Sequence, residues 1–235
     1  SWLLGPFSAA SGVQGELHPL LQTDLMVIHP PVVFSYYALC LATASVALAG
    51  VLRRDSAEAI HEAQLHWARA GFLLGSIGIG LGGLWAYTVL DWGGYWAWDP
   101  VETGSILPRL ALLLIVHVRA KPGSSAVSAA PAVCLIAGAL AFHATLVTRA
   151  NGVWASVHAF VAAGEGTLAD DPYLRVIDIA EFSPVGIEVT SYLVVIVILG
   201  YYAYVHLRQE QHSDLAASGG ISMLESKPQL SVALI

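Results

Sequence analysis

Charge is scarce in this sequence. Lysine, arginine, aspartate and glutamate make up 11% of its 235 residues, against about 25% in a soluble domain. With 56% hydrophobic residues and a mean hydropathy of +0.66, the chain reads as an all-α polytopic membrane protein. Its formal net charge of −7 therefore says nothing about acidic or basic partners. Ten lysines and arginines leave no basic stripe for a nucleic acid. Cysteine is almost absent. Cys40 and Cys134 stand singly in apolar runs, which excludes a disulfide framework, a CxxC redox pair and a zinc knuckle. Both read as small buried hydrophobes. The first residues carry no basic n-region of a cleavable leader, and no phosphate loop or nucleophile triad is visible.

Long apolar runs are what the chain has instead. Five are long enough to cross roughly 30 Å of hydrocarbon as helices: about 25–52, 70–90, 101–118, 127–147 and 185–207. Residues 1–24 read as a lead-in outside the membrane. Residues 55–69 and 153–163 read as short interfacial helices, and 208–235 as a polar tail, loosely ordered at its end. Pro30 and Pro31 suit only the first turn of a helix, which sets His29 at the mouth of the first span. Glycines at 71, 75, 78, 80, 82 and 83 in the second span predict close helix–helix contact, as small residues give in bilayers.

The stretch Trp92-Gly93-Gly94-Tyr95-Trp96-Ala97-Trp98-Asp99-Pro100-Val101-Glu102 organises the rest. Glycine and Asp-Pro interrupt any strand pattern. Pro100 suits a first helical turn with Asp99 as its cap. The stretch is therefore expected to be a short aromatic platform between two spans, offering flat apolar surface with polar edges to a large planar ligand. An interfacial aromatic belt accounts for one or two tryptophans better than for three at this spacing.

Arg53, Arg54, Arg69, Arg119, Lys121 and Arg208 fall on one side of the five spans. Asp91, Asp99, Glu102, Glu165, Asp170, Asp171, Asp178 and Glu181 fall on the other, opposed there by only Arg149 and Arg175. The positive-inside rule then places His29, the tryptophan stretch and His158 together on the outer face and the tail on the cytoplasmic or matrix side. Neutral imidazole is the usual axial ligand of haem iron. Either histidine alone is better explained as an interfacial polar residue. Two of them beside an aromatic platform favour a haem held against Trp92, Trp96 and Trp98.

His29-Pro30-Pro31, the Trp92–Glu102 run, and Arg149 to Phe160 ending Ser156-Val157-His158-Ala159-Phe160 resemble CcmF, the haem-handling subunit of the Ccm cytochrome c maturation system. The lead-in Glu16–Gln22 is similar as well. The resemblance runs in order from about residue 15 to 207. The related CcsA/CcsB-type synthases share the tryptophan motif, while the His-Pro-Pro and Ser-Val-His-Ala-Phe contexts are more similar to CcmF. It implies that His29 and His158 ligate the iron of a haem b at the platform, formed by Trp92, Trp96, Trp98 and Asp99. It also implies that His117 holds a second, structural b-haem, an electron route from quinol. Read from the residues alone, His117 is equally a snorkelling or helix-bonded imidazole.

The implied activity is that of a cytochrome c haem lyase subunit, joining haem vinyl groups to the thiols of an apocytochrome c Cys-x-x-Cys-His. The implied partners are the haem chaperone CcmE, CcmH/CcmI-type subunits, apocytochrome c, further CcmF segments and the bilayer, with no nucleic acid. The implied location is a bacterial or archaeal plasma membrane or the mitochondrial inner membrane, with the platform on the periplasmic or intermembrane-space side. CcmF proteins extend well beyond this region, so the chain is expected to be a split or shortened form, with the b-haem either absent or completed by a second ligand from another chain or from His206. Arg109 stands where the family has an apolar or aromatic residue. Either it reaches a haem propionate or it snorkels. His143 has no counterpart and reads as an ordinary packed residue. Two other readings remain: a non-catalytic haem relay, and a transporter fragment, against which the near absence of ionisable residues at mid-span counts.

Overall fold

The computed structural model describes residues 23–89, 94–118, 125–149 and 184–222. These form helices α1 (Asp24–Arg53), α2 (Ala57–Thr88), α3 (Pro100–His117), the single turn α4 (Ser125–Ser128), α5 (Ala130–Arg149) and α6 (Pro184–Ser222). Five helices are long and apolar enough to cross a membrane, and no strand occurs among the described residues. The protein is a polytopic all-α membrane protein.

Local chemistry sets the ends of the helices. Thr23 caps α1, its Oγ1 accepting from Leu25 N at 3.4 Å. Asp24 in the first turn adds a favourable dipole interaction. Helix α1 thus starts more than a turn earlier than its prolines imply, and Pro30 and Pro31 lie inside it. It ends at Arg54 in the left-handed conformation, φ 61°, where Asp55 N returns to Gly50 O at 2.9 Å. Ser56 then caps α2, accepting from Ala59 N at 3.3 Å. That cap carries the helix straight through 57–88, so the expected separate helix over 55–69 is the first half of α2. The fourth apolar run is broken by the turn at Ala129, and helix continues past the fifth span to Ser222.

Gly71, Gly75, Gly78 and Gly82 of α2 pack on other helices as expected, whereas Gly80 meets nothing within 4 Å and Gly83 meets the tryptophan loop. A Cβ on Gly71 would lie 2.9 Å from Leu112 of α3, one on Gly75 2.8 Å from the Tyr36 ring, and one on Gly78 3.0 Å from Val33 of α1. Spaced four and three residues apart, they share one face and let α1 and α3 close on α2. Helix α5 packs against α1, α3 and α6, with Gly138 seated on Ala44 and Gly104 on Ala144. Tyr36, fully buried, donates its hydroxyl to Ser105 O at 2.9 Å, tying α1 to α3.

A second tie lies at the Arg53 end. His61 Nε2 donates to Val118 O at 3.1 Å, Gln64 Nε2 lies 3.4 Å from His61 Nδ1, and the Cys134 thiol bonds Gln64 Oε1. Cys134 is therefore a polar partner as well as a small buried residue. In a span, such a chain satisfies groups that lipid would leave unpaired.

Candidate functional site

The tryptophan end is built outward from the start of α3. Asp99 is extended (φ −61°, ψ 147°), and its carboxylate accepts from Val101 N at 2.8 Å. Pro100 follows at a position whose N–H would have no helical partner. Glu102 reaches back, its Oε2 accepting from Ala97 N at 2.9 Å and Asp99 N at 3.3 Å. This reciprocal box pins the tryptophan segment to the helix. Asp99 is the cap expected of it, while the carboxylate that holds the loop is Glu102.

Helix α2 holds the other side of the loop. Gly83 brings the backbone so close that a Cβ would lie 2.9 Å from Tyr95 O. Tyr87 stacks on Tyr95 with centroids 4.3 Å apart and planes 12° from parallel. Between these clamps Trp98 takes φ 55°, a conformation costing a bulky residue about 1–3 kcal/mol, and the residue is 73% exposed. Trp96 turns inward, edge-to-face with Trp98 at 5.8 Å and 85°. The two rings do not form one flat surface.

His29 sits beneath. Its Nδ1 is 2.9 Å from Gly78 O, its ring meets Trp85 at 5.8 Å and 81°, and only the bare Cα of Gly82 leaves room for it. A carbonyl only accepts, so Nδ1 carries a proton, and in the neutral imidazole Nε2 is then the unprotonated nitrogen. That is the tautomer in which a second-sphere carbonyl orients a metal-binding imidazole.

These residues surround a cavity of about 340 Å³, within the range of small-molecule sites. Phe34, Tyr37, Trp85 and Trp96 give it aromatic walls, and His29 and Glu102 its ionisable groups. Trp98 is not part of the lining. Three hydroxyls of the lining are already engaged: Ser105 with Glu102 O, Thr145 with Ala141 O and Thr148 with Ala144 O. Trp96 Nε1 is not; it is buried with no acceptor among the described residues. This apolar cavity thus offers a ligand one unsatisfied N–H donor, from Trp96, and one imidazole whose Nδ1 is held by a carbonyl.

The family model for "Cytochrome C assembly protein" matches residues 7–158. The chain belongs to the cytochrome c assembly protein family. Similar relatives include the probable cytochrome c-type biogenesis protein NrfE of Escherichia coli K12, 35% identical over 62% of this chain and 26% of its own length. The cytochrome c-type biogenesis protein CcmF of Haemophilus influenzae is 32% identical over 80% of this chain and 27% of its own. That of Pseudomonas aeruginosa is 36% identical over 64% and 23%. The matched stretch spans about a quarter of the length of these relatives. No solved structure matches the chain.

In this member of the cytochrome c assembly family, His29 and Trp96 come together at one cavity with Asp99 behind it. Trp92 and His158 lie outside the described residues. His117 is at the opposite end, the last residue of α3, exposed and with Nδ1 2.8 Å from Leu113 O, the helix-bonded geometry. His206 bonds Ser128 O through Nε2 at 3.1 Å. His143 Nδ1 is buried without a partner among the described residues. Trp85 and Glu102 escaped the sequence reading as site residues. Their signal was positional: Trp85 follows the Gly82-Gly83 pair, and Glu102 stands three residues after the Asp99 cap.

Proposed function

We propose that the cavity at the tryptophan end holds haem b as the substrate of cytochrome c maturation, with His29 as one axial ligand of the iron and His158 as the other. The protonation pattern of His29, imposed by Gly78 O in a cavity walled by Trp85 and Trp96, carries this reading. Membership of the cytochrome c assembly family supports it. In this role His29 orients the haem, Trp85 and Trp96 exclude water from one face, and the Trp96 N–H takes a carboxylate oxygen. Asp99 and Glu102 hold the loop that positions Trp96. The thiols of an apocytochrome Cys-x-x-Cys-His would then add across the vinyl groups. Each addition forms a C–S bond and moves the thiol proton to the neighbouring carbon, with no change of oxidation state.

The chain acts in this reading as a haem lyase subunit within a larger membrane complex, receiving haem from a CcmE-type chaperone and working beside CcmH/CcmI-type subunits. The cavity faces the periplasmic or intermembrane-space side. His117, its Nδ1 committed to Leu113 O, would offer Nε2 to a second b-haem.

Reduced-minus-oxidised absorbance of the purified native complex tests the proposal. His29→Ala and His158→Ala each lose the same haem signal, and His117→Ala loses a different one. A native complex without haem would overturn it. Haem that stays bound while thioether formation is carried entirely by partner chains would reassign this chain as a relay.

A further inference from the structure

Helix α3 carries an arginine where the bilayer offers it nothing. Arg109 is the tenth residue of an eighteen-residue helix, about two turns from its inner end. Gly71 faces Leu112, and His61 bonds Val118 O; this register puts Arg109 level with Phe72 and Ser76 of α2. The side chain stays at that depth. Its Nε donates to Ser76 Oγ at 3.0 Å, and the guanidinium carbon lies 4.8 Å from the centroid of the Phe72 ring. Ser76 Oγ is itself tied to Phe72 O at 2.7 Å. The terminal guanidinium nitrogens meet no acceptor among the described residues, although a guanidinium presents five donors. A cation kept within a span faces a partner or a wet cavity, and this one does not extend to either interface.

The surface beside it has the form of a track. Leu73, Ile77 and Leu84 of α2 and Leu110 and Leu114 of α3 are exposed. Gly80, in the same stripe of α2, has nothing within 4 Å of where a Cβ would be. An apolar strip along two helices, with an open glycine, is shaped for another helix. Charge decides which. The acidic residues of the described helices (Asp24, Glu58, Glu62, Glu102, Glu188, Glu210 and Asp214) all lie near helix ends or beyond the apolar spans. The described helices of a second copy therefore supply no match at this depth. We infer that the α2–α3 face docks a transmembrane helix of a companion polypeptide bearing an aspartate or glutamate at mid-depth, paired with Arg109. The relatives carry about three quarters of their length outside the matched stretch, so chain able to supply such a helix exists in this family.

The test places a photoreactive p-benzoylphenylalanine at Ile77 or Leu110 in native membranes and sequences the cross-linked peptides. The expected product is a transmembrane segment of another protein containing Asp or Glu. Its yield should drop at least tenfold in Arg109→Leu and Arg109→Glu, persist in Arg109→Lys, and return when Arg109→Glu is combined with the reciprocal carboxylate-to-arginine change. In detergent, the isolated Arg109→Leu protein should melt no lower than wild type, since it loses an unpaired cation. Adducts on lipid alone, on a second copy, or on a helix without a carboxylate would overturn the inference. So would an unchanged yield in Arg109→Leu, or a lower melting point of that isolated variant, which would make Arg109 a packing residue. Loss of a b-type absorbance in Arg109→Leu with no cross-linked helix would assign the arginine to a haem carboxylate instead. None of these readouts depends on the cavity at the tryptophan end.

Discussion

His29 of α1 donates its Nδ1 proton to the main-chain carbonyl of Gly78 in α2, 2.9 Å away and 49 residues later in sequence. One bond sets the tautomer, fixes the ring plane against Trp85 and links the first two spans. The nitrogen that a metal would use is thus chosen by the packing of α1 on α2, through glycines that let the two backbones approach.

Gly82→Ala tests that dependence without removing the histidine. Its Cβ would lie 2.9 Å from His29 Cε1, so the ring must tilt. Haem absorbance should fall several-fold while the unfolding temperature changes little, because the imidazole end yields more easily than backbone. An unaltered haem spectrum would show that the His29 ring plane does not matter for binding.

Trp96→Phe deletes the orphaned N–H and keeps an aromatic ring. Without ligand the variant should be as stable as the parent or more so, since a buried unpaired donor costs about 1–3 kcal/mol. Haem titration should show weaker binding. Equal affinity for haem and for its dimethyl ester in the parent would mean that no carboxylate meets Trp96.

Glu102→Ala removes the acceptor of Ala97 N and Asp99 N and should cost about 1–3 kcal/mol. Glu102→Gln retains a carbonyl oxygen and should cost less than half of that. Thermal unfolding in detergent reads both. A loss of the same size in the two variants would point to the charge of Glu102, in place of its accepting geometry.

At the opposite end, Gln64→Leu strands His61 Nδ1 and the Cys134 thiol together. Destabilisation of about 1–3 kcal/mol is expected, along with faster alkylation of Cys134 by a membrane-permeant maleimide. Unchanged alkylation would show that α5 keeps its seat on α2 without this network.

Much of the architecture was legible because lipid imposes simple demands. Every span must be a helix of sufficient length, so the runs of apolar residues located five helices before any contact was known. Asp99-Pro100 marked the start of α3 because proline tolerates only that kind of position in a helix. The prolines of α1 misled for the same reason: Thr23 and Asp24 begin the helix upstream, and the helix absorbs two lost donors within its first third. The split placed at residue 69 failed because Arg69, exposed on α2, reads as a boundary in sequence yet costs a helix nothing at the membrane edge.

By itself the sequence determined the fold class, the five spans, the cap at Asp99 and the presence of histidine and tryptophan at one end of the bundle, because these depend on local chemistry and hydrophobic length. Only the tertiary structure decided that Trp96 turns inward while Trp98 turns out, that Trp85 and Glu102 complete the cavity, that His29 is protonated on Nδ1, and that Arg109 stays on Ser76. Each of these depends on which backbone atoms of a distant helix come within hydrogen-bonding reach, and that follows from how glycine-lined helices cross.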